Sequence, residues 1–148
     1  MSEGRYPVTY LPKWWPLSRG FTFKFPFCRA RIFATPATVA RGDFQFALFL
    51  AHEGDHCELW ELWGAFGFLR RWATKAGRLW IEGRAIAAEY VRHLELRPYL
   101  SENGRAAERW RLAEALHEGY WFGGRYTLAE CHDTIVSFLA APEEPTNG

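Results

Sequence analysis

The stretch 43–63, DFQFALFLAHEGDHCELWELW, decides the reading of this chain. It holds a dense apolar run, Phe46 to Ala51, and then three donors for a soft metal, His52, His56 and Cys57. Four acids, Glu53, Asp55, Glu58 and Glu61, lie among and after them. As a β-hairpin, Phe44, Phe46, Leu48 and Leu50 alternate with Gln45, Ala47, Phe49 and Ala51, which is the period of a strand. Glu53-Gly54-Asp55 then makes the turn and Cys57 to Trp63 the return. As a helix, His52-Glu53-Gly54-Asp55-His56 is an H-E-x-x-H pattern. Positions i and i+4 share a face, so His52 and His56 would bind one zinc, with Glu53 as the base that activates a water.

The composition inside the motif favours the hairpin. Gly54 and Asp55 fill its two variable positions, and both are poor residues for a helix interior. The hairpin is therefore the expectation. Leu59, Trp60, Leu62, Trp63 and Phe66 also fall at helical spacing, so a helix running on from His52 is the alternative.

Toward the N-terminus, residues 20–34, GFTFKFPFCRARIFA, read as a strand with Phe21, Phe23, Phe25 and Phe27 on one face. Pro26 marks an edge or a bulge, because it has no N–H for a ladder. Val8 to Leu11 is a candidate short strand, and residues 35–42 are a connection. Toward the C-terminus, Ala65 to Ala76 read as a helix stopped at Gly77. Leu79 to Ile81 are a candidate strand. Ala85 to Arg97 form a helix with Ile86, Tyr90, Val91 and Leu94 as its buried stripe, ended by Pro98. Arg105 to Glu118 form the next helix. Thr127 and Glu130 have the spacing of a capping box that opens a last helix through Ala140.

These elements predict an α+β fold, with an N-terminal antiparallel sheet of about three to five strands packed by three or four C-terminal helices. A length of 148 residues suits a single domain, 1–148. Its parts are an irregular arm at 1–19, a β-rich segment at 20–63, a mainly helical segment at 64–140 and a flexible tail at 141–148.

The start of the chain lacks the apolar segment of a secretory signal, and no run has the length of a membrane span. The three cysteines, Cys28, Cys57 and Cys131, are odd in number and far apart, which implies no disulfide framework. A cytoplasmic location without a membrane partner follows as the expectation.

Net charge is only +1 but unevenly placed: residues 69–111 hold ten basic and five acidic side chains, and residues 43–68 hold five acidic and no basic ones. Eight Trp and twelve Phe exceed what a small core takes up, so some should face outward as contact residues. No G-x-S-x-G, P-loop or G-x-G-x-x-G is present, which removes the commonest nucleophile and nucleotide-phosphate sites.

The leading expectation is a small macromolecule-binding protein of the interaction, inhibitor or immunity type, with another protein as partner. Its contacts would be Trp14, Trp15, Trp60, Trp63, Trp121, Arg70 and Arg71, and it would need no cofactor. The first alternative is a zinc-dependent hydrolase with His52 and His56 as ligands and Glu53 as general base. A second is a nucleic-acid-binding module using the basic 69–111 segment. A structural zinc drawing on His52, His56, Cys57, Cys131 and His132 is a further candidate.

Overall fold

The computed structural model describes residues 5–16, 19–25, 27–120 and 124–140. Its N-terminal part is a small sheet of β1 (Val8–Tyr10), β2 (Phe21–Phe23) and β3 (Arg31–Ala34), in the order β1-β3-β2. β2 runs antiparallel to β3 with Phe21 opposite Phe33, and β1 runs parallel to β3 with Val8 opposite Ile32. Helices follow: α1 (Pro36–Val39), α2 (Asp43–Trp72), α3 (Lys75–Leu96), α4 (Glu102–Gly119) and α5 (Leu128–Ala140). The fold is thus α+β, with a small sheet at the N-terminus and helices after it. The antiparallel expectation holds for β2 against β3, whereas β1 makes the sheet mixed.

The hairpin expected over 43–63 is corrected: the whole stretch is helical, and helix begins with α1 at Pro36 rather than at 64. The alternation of Phe44 to Ala51 does not mark a strand, because the run is apolar at nearly every position and fits either period. α2 is central, touched by the sheet on one side and α3 on the other. Leu48, Ala51, Asp55, His56, Leu59 and Trp60 are all buried in it. A helix buried on more than one side shows no clean amphipathic stripe. The roughly 1 kcal/mol that Gly54 costs a helix is small beside that burial.

The turn falls ten residues later than expected. Gly54 does not take positive φ, but Gly64 does, at φ 66° and ψ 174°, and it breaks α2 into two segments. The second segment carries Phe68, whose ring stacks on Trp60 at 4.3 Å.

The strand expected over 20–34 is two strands. β2 ends at Phe23, and the Phe stripe is not all core. Phe21 stacks on Phe33 at 5.0 Å, but Phe25 and Phe27 are exposed. The strand expected at Leu79 to Ile81 lies inside α3, which starts where Thr74 accepts a hydrogen bond from the Gly77 amide at 3.0 Å. The capping box forms: the Glu130 amide donates to Thr127 Oγ1 and the Thr127 amide to Glu130 Oε2.

Two apolar clusters hold the helices. One joins α3, α4 and α5 through Ile86, Tyr90, Leu112, Leu116, Cys131 and Ile135. The other joins the sheet, α2 and α3 through Ile32, Cys57, Leu59, Trp60, Phe68 and Ile81. At Gly83 an added Cβ would lie 2.7 Å from Thr134 Cγ2, so only glycine lets α3 and α5 approach this closely. The tail at 141–148 lies outside the described residues. Among those described, no helix is long and apolar enough to cross a membrane.

Candidate metal centre

His52 and His56 are one helical turn apart on α2, so both imidazoles face the same neighbour, α3. There Glu82 meets them. Its Oε2 lies 3.4 Å from His52 Nε2 and 3.3 Å from His56 Nε2. These three side chains offer ligand atoms within 4.8 Å of one another, all of them nearly buried.

The separations are longer than the 2.7–2.9 Å or so of a charge-assisted hydrogen bond. Glu82 Oε2 is buried with no well-directed donor among the described residues, and so is His56 Nδ1. The two distances from Glu82 Oε2 do fit edges of a coordination tetrahedron, and the two imidazoles lie within 4.8 Å of each other. With bonds of about 2.0–2.2 Å from zinc to nitrogen or oxygen, those edges are about 3.3–3.6 Å. An octahedron with the same bonds has edges of about 2.8–3.1 Å.

Neighbours orient the three donors. Trp72 Nε1 donates to Glu82 Oε1 at 3.2 Å, leaving Oε2 toward the imidazoles. Glu89, two turns further along α3, places Oε2 3.4 Å from His52 Nδ1, the ring nitrogen facing away from Glu82. A carboxylate behind a metal-binding imidazole fixes its tautomer and orientation. Arg84 reaches from α3 back to α2, 3.1 Å from Asp55 and 3.2 Å from Glu58, which locks the two helices in register.

The electrostatics call for positive charge at this point. Burial by itself would lower the His52 pKa, yet the carboxylates of Glu82 and Glu89 outweigh it and hold the imidazole well above its usual value. Burial would likewise raise the Glu82 pKa, but His56 and His52 drive it far below the ordinary carboxylate range. The Tyr120 phenol is pushed up, first by burial and then by the negative charge of Glu82, to which it hydrogen-bonds.

Glu53 lies beside the donors. Its Oε2 accepts from Thr22 Oγ1 at 2.5 Å, which pins edge strand β2 over α2. Two clefts open at this point, and His52, Glu53 and Tyr120 line both.

The other expected site residues are dispersed. Trp60 is a core residue rather than a contact residue. Trp63 is half-buried between Arg71, whose guanidinium lies 4.3 Å from its ring centre, and Trp80 at 5.4 Å. Trp14 is exposed and tilted against Trp15 at 6.2 Å, and Arg70 is exposed. Trp121 lies outside the described residues.

The mixed Cys–His zinc set is corrected. Cys57 packs in the core, and burial pushes its thiol up to about 12. Cys131 belongs to the other core cluster, and His132 stacks on Trp110 at 4.0 Å.

Sequence reading missed Glu82, the third donor. Its signal lay in α3, where the stripe of Ile86 and Tyr90 extended back by four puts a carboxylate on a buried face. Charged residues are rarely buried without a partner.

The class is defined by these features: an α+β chain whose central helix and its neighbour converge two imidazoles and a carboxylate. No family model matches the chain, and no curated protein or solved structure matches it.

Proposed function

We propose that this protein is a zinc-dependent hydrolase. The observation that carries the reading is the convergence of His52, His56 and Glu82, with Glu82 Oε2 at tetrahedral-edge distance from both imidazoles. Two imidazoles and one carboxylate, with a fourth position left for water, make the donor set of catalytic zinc sites. Zinc there would lower the pKa of a bound water toward neutrality and polarise a substrate carbonyl.

The chain's own residues divide the remaining work. Glu53 follows the first ligand directly, at the edge of both clefts, and takes the proton from the attacking water. Thr22 holds its carboxylate by one oxygen, leaving the other for that proton.

Metal analysis and one substitution test this. Protein purified without a metal-binding tag should carry about one zinc per chain, and His56→Ala should lose it. Glu53→Gln should keep the zinc and lose about 10²- to 10⁴-fold in turnover, the usual contribution of a general base. A Glu53→Gln variant as active as the parent would rule the mechanism out.

The macromolecule-binding reading is compatible with this one, since Leu62 and Phe66 leave apolar side chains at the surface. A protein substrate would be the bound macromolecule. Zinc-loaded Glu53→Gln would then retain such a partner instead of releasing products.

A further inference from the structure

We infer that the substrate of this centre is a peptide with carboxylates on one side of the cleaved bond and a bulky apolar side chain on the other. The inference rests on the hydrolase reading. It comes from the unlike character of the two clefts that meet at His52 and Glu53.

The first cleft, of about 310 Å³, runs along α2 from Gln45 to Glu53 and is bordered by Arg19, Arg41 and Arg111. Arg111 is engaged by both oxygens of Glu108, at 2.8 and 2.6 Å. Arg19 and Arg41 make no ion pair among the described residues, and both are exposed. An unpaired guanidinium presents a planar fork that matches a carboxylate with two parallel hydrogen bonds. Glu53 and Glu89 also face this cleft, so it becomes cationic when the centre holds its divalent metal.

The second cleft, of about 390 Å³, leads the other way and is walled by Phe23, Trp60, Phe68, Leu69 and Trp72. Trp72 and Leu69 leave apolar surface open to an incoming side chain. Burying a large aliphatic or aromatic group there should tighten binding by about tenfold or more.

Lengths set the spacing. Arg19 lines both clefts, so it reads a carboxylate close to the cleaved bond. Arg41 stands just ahead of the first turn of α2, and Asp43 to His52 spans about 14 Å at 1.5 Å per residue. An extended peptide advances about 3.3 Å per residue, so Arg41 reads a carboxylate about four residues away.

The test uses zinc-loaded Glu53→Gln protein and fluorescein-labelled octapeptides, with fluorescence anisotropy as the readout. Each peptide carries a central Phe flanked on one side by two Glu or by two Gln, in both orders. A further Gln peptide is made with a free or an amidated C-terminus. The Glu peptide of one order should bind at least about tenfold more tightly than its Gln counterpart. Arg19→Ala together with Arg41→Ala should reduce that ratio to under about twofold, with the melting temperature unchanged. Phe→Ala in the peptide should also weaken binding about tenfold. A free C-terminus that matches Glu would assign the carboxylate to a chain end, and a silent one would assign it to side chains.

Equal affinities for Glu and Gln peptides, or a preference that survives the double arginine variant, would overturn the inference. Zinc content and peptide hydrolysis by the unmodified protein are measured in parallel. Zinc and hydrolysis with equal affinities sink this inference alone. Absence of zinc sinks the hydrolase reading and the inference with it.

Discussion

Glu89 is where a single residue says most about the centre. It stands behind His52 on the side away from Glu82, with Oε2 3.4 Å from His52 Nδ1, so its carboxylate meets the ring at the nitrogen opposite the one near Glu82. Glu89→Gln should weaken zinc affinity about 10- to 100-fold, the usual effect of removing an orienting carboxylate. A competition titration with a chromophoric chelator measures this, and unchanged affinity would mean that Glu89 does not position the ring. Glu61 gives a separate residue-scale test, away from the metal. It accepts from Lys24 Nζ at 2.5 Å and from the Ala30 amide at 2.6 Å, and the Lys24 bond first and the Ala30 amide second hold its pKa below the ordinary value. A lowered folded-state pKa stabilises above the unfolded value and is lost as pH falls through the folded one. Glu61→Gln should therefore lower the melting temperature by about 2–4 °C at pH 7, the shift that ~1 kcal/mol produces in a domain of this size. The difference should shrink toward zero as pH falls below about 4.

At the scale of the element, α2 is the decisive case. Two segments with different tasks meet at Gly64: the first carries His52, Glu53 and His56, and the second brings Phe68 onto Trp60. An added Cβ at Gly64 would meet nothing within 4 Å, so the cost of a side chain there is purely that of its positive φ. Gly64→Ala should destabilise by about 1–3 kcal/mol, read from the urea midpoint. A neutral or stabilising result would show that the chain runs straight through this point. The same element explains what sequence reading misjudged. Gly54 and Asp55 argue against helix by propensity, but Asp55 is held by Arg84 of α3 and its neighbours are packed on two sides. Propensity is worth tenths of a kcal/mol to about one per residue, and packing of a central helix exceeds it. Terminal signals fared better: Thr127 with Glu130 marked the start of α5 because a capping box is a local interaction, complete within four residues.

For the whole molecule, the proposed metal centre would join α2 and α3, so zinc should act as a staple between them. A ligand that binds only the folded chain adds about 2.7 kcal/mol at a free concentration 100 times its dissociation constant. In a domain of this length that raises the melting temperature by about 5–10 °C. Differential scanning fluorimetry with and without zinc should find this rise, and His56→Ala should abolish it. A rise of the same size in His56→Ala would place zinc elsewhere on the chain.

The sequence by itself determined the α+β class, the positions of α4 and α5 and of the C-terminal half of α3, and the cap of α5, and it offered His52 with His56 only as the alternative to a hairpin. These depend on periodicity and on contacts within a few residues. Only the tertiary structure decided that 43–63 is helix, that Trp60 is core, and that Glu82 completes the donor set from a helix 26 positions beyond His56. Those outcomes depend on what lies across from each side chain. A carboxylate on a buried stripe is legible as unusual, but its partners are fixed only when α3 packs against α2.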